Sequence, residues 1–337
     1  MPDSFFNPFD GLAAQQGQQQ AAQQQQVFYS SPIQQAMSEL FSHGSFVYKP
    51  TPLTPEQEVQ RARRNEAFYR MARLEREREV EQEKIEEAEE GVVLNTFLIG
   101  CDPEFVALDG ANHVINVGHT LQHIGEIGWD HSGNVIEVRP KPAKGAFALV
   151  RRMQKLLKDP RLEGLGCAKL RAGAYVPPYL LGGHIHIGGV CSRDQEHLNR
   201  ITAMDAVTRL LEHLDILPTK ECIERRKKGA DAGYGKFGAV RYKADGHFEY
   251  RTMASWLHDP RVAYICLTAA KLAAVAPIET RTALEKATSF AALQTWAENY
   301  KKDDNVKRML RLFEKGHRSL VKDPDVDFRG RWETLGL

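Results

Sequence analysis

Four short, strand-like runs of the sequence each carry two polar side chains that are separated by a single residue. The residues between and around these pairs are apolar or small. On a β-strand, residues two apart point to the same side, so each run has one charged side and one apolar side. Such strands fit a sheet that covers an apolar core with one face and leaves a charged face open. The pairs are Asp102 and Glu104, Glu137 and Arg139, His184 and His186, and Glu249 and Arg251.

The residue types in these pairs indicate a chemical site. A solvated strand often alternates polar and apolar residues for no functional reason, and any one pair alone fits that explanation. If the four strands share a sheet, however, one face carries three Glu, one Asp, two His and two Arg. Oxygen-rich ligation with an imidazole suits magnesium or manganese better than structural zinc. Arginines on the same face suit a phosphoryl group or a carboxylate, and metal with arginine is typical of phosphoryl transfer.

Several other classes of protein are excluded by the sequence. It contains no Walker A sequence, no GxGxxG fingerprint that opens a helix after a strand, and no Gly-x-Ser-x-Gly elbow. The His-x-His pair alone would suggest a metallohydrolase, but that motif is weak, and the acidic pairs favour magnesium-type chemistry. The formal net charge is +1, which excludes a binder that holds nucleic acid by phosphate neutralisation over its whole surface.

The near-neutral charge conceals two different segments. Residues 1–95 carry 9 basic and 15 acidic side chains, whereas the rest of the chain carries 36 and 29. Residues 15–35 contain eleven glutamines, and a segment so poor in apolar surface cannot offset the entropy of ordering. We therefore expect residues 1–53 to be a disordered tail. Its few aromatic residues leave open a second interpretation, in which they are short docking motifs.

A charged helix is predicted for residues 54–91. Thr54 precedes Pro55 and is followed by Gln57, which is a capping box with proline at the first helical position. Strong helix formers rich in Glu and Arg follow, and Gly91 ends the run. Either this is a solvated helix stabilised by Glu–Arg pairs, or its partial heptad makes it a coiled-coil or assembly helix. In the second case a protein partner would bind through residues 1–91.

Residues 92–337 read as one α+β catalytic domain. Strands are predicted at Phe97–Leu108, Val135–Arg139, Gly182–Gly189 and Gly246–Met253, with a Gly133-Asn134 turn before the second. Helices are predicted at Ala143–Lys158, from Ser192 to about Leu217, and over most of 260–320. Strands and helices mixed in this way favour an α+β fold.

Cysteine and targeting signals predict a soluble protein of a reducing compartment. The five cysteines form no CxxC pair, and their odd number argues against a disulfide framework. The N-terminus has no basic and apolar signal regions. The most apolar stretch, 263–277, is interrupted by Lys271 and is too short to span a bilayer. We expect a cytoplasmic protein that binds neither membrane nor nucleic acid.

The four motifs, in this order, resemble the carboxylate–amine ligase superfamily of glutamine synthetase and glutamate–cysteine ligase. They are most similar to the phage-associated COOH–NH2 ligase (amidoligase) family. The resemblance covers roughly residues 97–260 and says nothing about residues 1–95. The sequences that carry it are Gly100-Cys-Asp-Pro-Glu-Phe105, Gly133-Asn-Val-Ile-Glu-Val-Arg-Pro140, Gly182-Gly-His-Ile-His-Ile-Gly188 and Gly246-His-Phe-Glu-Tyr-Arg251.

The resemblance implies specific roles for the polar residues. Asp102 is shorter than the glutamate that glutamine synthetase has at the matching position. Arg251 would meet the transferred phosphoryl group, and His186 would support the substrate or the metal ligands. The implied metal ligands are Asp102, Glu104, Glu137, His184 and Glu249. The implied catalytic residues are Arg251, Glu137, His186 and Arg139.

The glycine-rich run Tyr234-Gly-Lys-Phe-Gly-Ala-Val-Arg241 adds two basic candidates. Together with Arg251, the side chains of Arg241 and Lys236 would bind nucleotide phosphate or substrate carboxylate. Basic residues in such a loop are also often only solvated, and both interpretations stay open at this point.

The resemblance further implies the cofactors, the reaction and the fold. ATP with Mg2+ or Mn2+ would phosphorylate a carboxylate of a small molecule or peptide, and an amine would displace phosphate from the acyl phosphate to form an amide. The implied fold is a curved antiparallel sheet like that of glutamine synthetase, with a polar active face and helices on the other face. A phage origin would place the protein in the host cytoplasm or in the virion.

Two alternatives compete with the ligase hypothesis. The first is a structural or assembly protein of a phage particle that uses a ligase-derived domain as a scaffold, which the tail and the charged helix suggest. The second is a guanidino kinase-like phosphotransfer on a related sheet. Retention of all four polar pairs argues against the first, and the glycine-bounded His-x-His strand argues against the second.

Overall fold

The computed structural model describes most of the chain after residue 96. The described ranges are 97–130, 133–188, 195–231, 233–243, 247–276, 289–316 and 325–337, with isolated positions within 54–81 and 284–320. The chain divides into two compact units, Met1–Arg78 and Glu79–Leu337. The predicted tail at 1–53 lies outside the described residues.

The first unit is described only in part. Its described residues between 55 and 78 are helical and exposed to solvent. Arg73 pairs with Glu77 one turn later, at 2.8 Å between Nε and Oε1, which is the spacing expected for a solvated helix. The extent of the helix over 54–91, its coiled-coil character and the domain boundary at residue 92 stay predictions.

The second unit is built on an antiparallel sheet. Its strands are β1 (Ile99–Leu108), β2 (Ile127–Asp130), β3 (Val135–Val138), β4 (Lys169–Arg171), β5 (Tyr175–Val176), β6 (Tyr179–Leu180), β7 (Gly183–Ile187), β8 (Val240–Tyr242) and β9 (Phe248–Tyr250). Hydrogen bonds pair these strands in the order β2-β3-β1-β7-β9-β8, and β4 also pairs with β1. Strands β5 and β6 form a separate two-stranded hairpin.

Seven α-helices follow or separate the described strands. They are α1 (Ala146–Leu156), α2 (Pro160–Glu163), α3 (Gln195–His213), α4 (Thr219–Lys228), α5 (Pro260–Val275), α6 (Phe290–Glu298) and α7 (Asp304–Glu314). The carboxylate of Asp259 caps α5 by accepting from the backbone N–H of Arg261 at 2.9 Å. Asp159 caps α2 in the same way, with proline next in the chain.

The predicted α+β class, the antiparallel sheet and its four polar-pair strands are confirmed. The Gly133-Asn134 turn is also present, and Gly133 has φ +82°, which favours glycine because it has no Cβ. Each observed strand is one to five residues shorter than predicted, and β3 and β9 end one residue before Arg139 and Arg251. The predicted cap at Ser192 lies outside the described residues, and the curvature like that of glutamine synthetase stays a prediction.

The apolar face of the sheet packs against helices to form the main core. Alternate residues of β1 and β7, among them Ile99, Phe105 and Ile185, are fully buried with apolar residues of α1, α3 and α5. This packing confirms that helices cover one face. A second, smaller cluster of Val106, Leu108, Val135, Val176 and Leu181 lies on the opposite side of β1. The β5–β6 hairpin contributes to this cluster and so covers part of the other face.

In the described part of the chain, no helix is long and apolar enough to cross a membrane.

Candidate active site

Strand register brings six of the eight paired polar residues together on one side of the sheet. Asp102 lies opposite His184, and Glu104 lies opposite Glu137. His186 lies opposite Glu249. Because directly opposed residues point to the same side of a sheet, these six side chains share what we call the polar face. A surface made of independent solvated strands would show no such convergence.

The first cluster on the polar face consists of Asp102, His184 and Glu249. Nδ1 of His184 lies 3.5 Å from Oδ1 of Asp102 and 3.7 Å from Oε1 of Glu249. Each residue offers a ligand atom within 4.8 Å of the other two. The side chains of His184 and Glu249 are only 3% and 2% exposed, so this group of charges is shielded from water.

The second cluster consists of Glu104, Glu137 and again His184, with ligand atoms within the same 4.8 Å. Burial raises the pKa of Glu104 well above its usual range, and the charge of Glu137 adds to the rise. Burial also raises the pKa of Glu137 to about 7, although Arg139 opposes this. Two buried carboxylates that lie close together and resist ionisation form a favourable place for a cation.

Asp102 is held in a different electrostatic state. Burial alone would raise its pKa, but the imidazoles of His186 and His184 outweigh burial and hold the pKa of Asp102 well below its usual range. Nε2 of His186 lies 3.0 Å from Oδ1 of Asp102, and its Nδ1 lies 3.1 Å from Nε2 of His247. His186 therefore orients Asp102 and links it to a second histidine.

Basic side chains surround Glu249 at the β8–β9 end of the polar face. Nε of Arg251 lies 3.0 Å from Oε1 of Glu249, and Nζ of Lys243 lies 2.8 Å from Oε2. Arg241, opposite Glu249 on β8, reaches Oε2 at 3.4 Å and is half exposed. Three cations around one carboxylate leave an excess of positive charge, which suits an anionic ligand.

Arg139 lies at the other end of the polar face, beside β2. Its guanidinium pairs with the carboxylate of Glu137 and donates to the carbonyl oxygens of His123 and Gly125 at 3.4 and 3.3 Å. The predicted pair of Glu137 and Arg139 is thus placed together. Arg139 also ties the loop before β2 to the edge of the site.

Lys236 is not brought to the clusters. Its side chain is exposed and, among the residues that the structure describes, forms no ion pair with a carboxylate. Its backbone carbonyl accepts from the hydroxyl of Thr252 at 2.8 Å, so Lys236 anchors the loop through its main chain. A phosphate-binding role for the side chain stays a prediction.

Three residues of the site were absent from the sequence prediction. Lys243 lies two residues beyond Arg241, and His247 lies two residues before Glu249. The same spacing rule that gave the four pairs would have found both. Tyr234 gave no such signal, because it lies in a loop, yet its hydroxyl donates to Oε2 of Glu104 at 2.7 Å.

A divalent cation fits the donors of both clusters. The cluster of Asp102, His184 and Glu249 offers two carboxylates and one imidazole, and Glu104 and Glu137 offer two carboxylates that repel each other. Carboxylate oxygens are the donors that magnesium and manganese prefer. A cation between Glu104 and Glu137 would oppose the effect of burial, which raises the pKa of both carboxyls.

Comparison with known proteins places these residues in a family. Residues 99–333 match the model of the family described as phage phiEco32-like COOH.NH2 ligase-type 2. No curated protein matches the sequence. Among solved structures, the chain is similar to a bifunctional glutathione synthetase from Pasteurella multocida, with 12% identity and a TM-score of 0.38. That match covers 73% of this chain and 50% of the other, so the chain spans about half of that enzyme's length.

Proposed function

The chain belongs to the phage phiEco32-like COOH.NH2 ligase-type 2 family, whose model spans 235 of its 337 residues, and we propose that it joins a carboxylate to an amine at the expense of ATP. The observation that carries the proposal is the convergence of two acidic clusters on His184, with cationic side chains at both ends of the same face. Acidic clusters that bind a metal, set beside arginines, are the apparatus of phosphoryl transfer.

The proposed reaction has two steps. A carboxylate is a poor acyl donor, so its oxygen first attacks the terminal phosphorus of ATP, which releases ADP and leaves an acyl phosphate. The nitrogen of a neutral amine then attacks the acyl carbon, and the carbon–oxygen bond to phosphate breaks. The products are an amide, ADP and phosphate, and the amine nitrogen loses one proton to solvent or to an acidic side chain.

Five side chains would hold two divalent cations, Mg2+ or Mn2+. Asp102, His184 and Glu249 form one set, and Glu104 and Glu137 form the other. When bound, the cations supply positive charge that neutralises the phosphate oxygens. His186 keeps Asp102 in place through its 3.0 Å contact, so it acts on the first set without belonging to it.

The arginines at the two ends of the polar face would bind different parts of the substrates. Arg251 and the half-exposed Arg241 lie at the β8–β9 end, where they can donate to phosphate oxygens. Arg139 lies at the β2–β3 end beside Glu137, where it can bind a carboxylate of the acceptor or donor substrate. The nucleotide would therefore lie toward β8 and β9, and the carboxylate and amine toward β2 and β3.

The test measures the release of phosphate from ATP in the presence of Mg2+. Amino acids, peptides and small amines are supplied in pairs of one carboxylate and one amine, and the products are identified by mass spectrometry. We expect release to require both a carboxylate and an amine, and the product to have their summed mass less one water. Glu104→Gln and Arg251→Gln should abolish it. Glu314→Gln and Arg311→Gln, on the exposed side of α7, are the matched controls and should retain it.

Two outcomes would refute the proposal. Absence of turnover, together with no binding of ATP or Mg2+ in calorimetry, would favour the scaffold alternative. A phosphorylated guanidino product without loss of water would favour the kinase alternative.

A further inference from the structure

The loop from Gly229 to Ala239 inserts Tyr234 into the polar face. Two guanidinium groups lie over the tyrosine ring, with the Cζ atoms of Arg225 and Arg251 at 4.7 and 5.3 Å from its centroid. Arg225 is itself buried and donates to the carbonyl oxygens of Thr252 and Arg251 at 2.7 and 3.2 Å. Two contacts of this kind help to fix the position of the ring.

The hydroxyl of Tyr234 touches one residue of each acidic cluster. It donates to Oε2 of Glu104 at 2.7 Å and lies 3.3 Å from Nε2 of His184. The same Oε2 accepts the backbone N–H of Gly182 at 2.5 Å. An oxygen that accepts two hydrogen bonds carries no proton of its own, so the single phenolic proton is directed to Glu104.

Because the phenolic proton is already donated, the oxygen of Tyr234 can only accept a hydrogen bond from His184. A neutral imidazole has one N–H and one lone pair. An N–H on Nε2 therefore leaves the lone pair on Nδ1. The phenol keeps its proton at pH 8, because an ordinary phenol ionises only at about pH 10.

We propose that Tyr234 is a positioning residue that fixes His184 with its proton on Nε2 and its Nδ1 lone pair directed at Asp102 and Glu249. The inference rests on the proposed metal-dependent function and sharpens it. Geometry alone allows His184 to join either acidic cluster, and the tyrosine selects the first. The ion of the second cluster is then held by Glu104 and Glu137 without an imidazole.

The distances around Nδ1 agree with this assignment. Oδ1 of Asp102 and Oε1 of Glu249 lie at 3.5 and 3.7 Å from Nδ1, so both contacts are longer than the 3.3 Å contact of Nε2 with the hydroxyl of Tyr234. With the proton on Nε2, three electron-pair donors face one another, and a cation among them removes their repulsion. A metal-bound histidine normally donates its other N–H to a fixed acceptor, and here that acceptor is Tyr234.

Close packing protects this arrangement. A Cβ atom added to Gly182 would overlap Nε2 of His184 and would lie 2.9 Å from the hydroxyl of Tyr234. A Cβ atom added to Gly229 would lie 2.8 Å from the carbonyl oxygen of Tyr234 and 2.9 Å from its Cβ. These glycines leave the space that the tyrosine and the histidine fill.

The tautomer can be measured directly on the unaltered protein. Full-length chain with 15N-labelled histidine, free of metal at pH 8, is recorded by long-range proton–nitrogen NMR, and the signal of His184 is assigned by its loss in His184→Gln. We expect the proton on Nε2. A proton on Nδ1 would overturn the inference, and this result does not depend on whether any tyrosine variant folds.

The effect on metal binding is measured by calorimetry with Mn2+ alone. We expect Tyr234→Phe, with its fold checked by circular dichroism, to weaken one site by about 10- to 100-fold and to give His184 as a mixture of tautomers. Tyr179→Phe is the matched control, because in the described part of the chain no hydrogen bond of its half-buried hydroxyl is found. Unchanged affinity in Tyr234→Phe would overturn the inference.

These measurements separate the inference from the ligase activity, since neither uses ATP or turnover. A protein with the expected tautomer and metal affinities but no turnover would refute the ligase function alone. A wild-type protein that binds no Mn2+ would refute both.

Discussion

Strand β1 separates two chemically opposite regions at adjacent residues. Glu104 points to the polar face, where it meets Glu137, Tyr234 and a buried backbone N–H. Phe105 points to the apolar face, where it packs edge-to-face on Phe328 with ring centroids 5.4 Å apart. Both side chains are almost completely buried. Burial therefore affects the free energy of folding in opposite directions on the two faces. It is favourable for the phenyl ring and unfavourable for the carboxylate.

The difference between the two faces indicates that residues on one face stabilise the fold, whereas residues on the other reduce its stability. The raised pKa of Glu104 and Glu137 reports that the folded protein disfavours their charged forms. Keeping two carboxylates in such a state costs stability in the absence of a cation, which is typical of a site that binds a ligand. The apolar face supplies the free energy of folding that offsets this.

The largest expected effect concerns the polar face. Glu104→Gln keeps an oxygen that can accept from Tyr234 and from Gly182, but removes the negative charge of a proposed metal ligand. We expect turnover to fall about a thousandfold or more, since a cation contributes several kcal/mol to the barrier. Steady-state phosphate release measures the loss.

The stability of Glu104→Gln should be unchanged or higher, because an unfavourable buried charge is gone. Chemical unfolding in urea, in metal-free buffer, checks this. A large loss of stability with little loss of turnover would mean that the polar pairs are structural, and the distinction between the two faces would fail.

The apolar face should give the reverse result. Phe105→Ala leaves a cavity beside Phe328, and we expect the free energy of unfolding to fall by about 3–5 kcal/mol. Turnover per folded molecule should stay within about twofold of wild type, since Phe105 faces away from the clusters. Leu98→Ala, whose side chain is 47% exposed just before β1, is the control and should change stability by well under 1 kcal/mol.

A pH dependence of stability, of intermediate size, is expected from the buried side chain of His258. His258 lies in the buried turn between β9 and α5, and burial lowers its pKa to about 4, although Asp259 opposes this. The unfolded chain takes up this proton near pH 6.5, whereas the folded chain resists it until about pH 4. Stability is therefore lost as pH falls through that window, by roughly 3 kcal/mol in total.

The two faces should respond to pH with opposite sign. Glu137 has a raised pKa, so its contribution to the stability of the metal-free protein rises as pH falls from about 7. The loss of unfolding free energy due to His258 should be clearest in the double variant Glu104→Gln, Glu137→Gln, which lacks the opposing carboxyls. Urea unfolding at pH 7 and pH 5 measures it. If His258→Gln leaves the pH slope of that double variant unaltered, the assignment to His258 is wrong.

The smallest expected effect belongs to the exposed edge of the polar face. Arg241→Gln removes a half-exposed cation whose ion pair with Glu249 is 3.4 Å long and solvent-screened. We expect the KM for ATP to rise a few-fold and stability to change by less than about 0.5 kcal/mol. Arg311→Gln should alter neither. A loss of kcat as large as in Glu104→Gln would place Arg241 among the reacting groups.

Much of the sheet was predictable, because a period of two is a local property of the sequence. The pairs on β1, β3, β7 and β9 predicted the strands, their common face and the cluster that contains His184. What a local pattern cannot give is which strands become neighbours. The meeting of Asp102 with His184 depends on register, and register is settled by packing of the whole apolar face.

Residues contributed by loops were harder to find. Tyr234 reaches Glu104 across 130 positions of sequence, and its place depends on Arg225, a buried side chain of a helix with no motif of its own. The second, smaller apolar cluster around Val106 and the β5–β6 hairpin were also not predicted. In both cases the information lies in tertiary contacts between distant segments, which no short window of sequence contains.

The most direct test of the two metal positions is anomalous scattering from crystals of the full chain grown with Mn2+ and a non-hydrolysable ATP analogue. We expect one peak bounded by Asp102, Nδ1 of His184 and Glu249, and a second between Glu104 and Glu137, with the terminal phosphate toward Arg251. Manganese bound elsewhere on the chain, or a polar face without any anomalous peak at saturating Mn2+, would contradict the assignment.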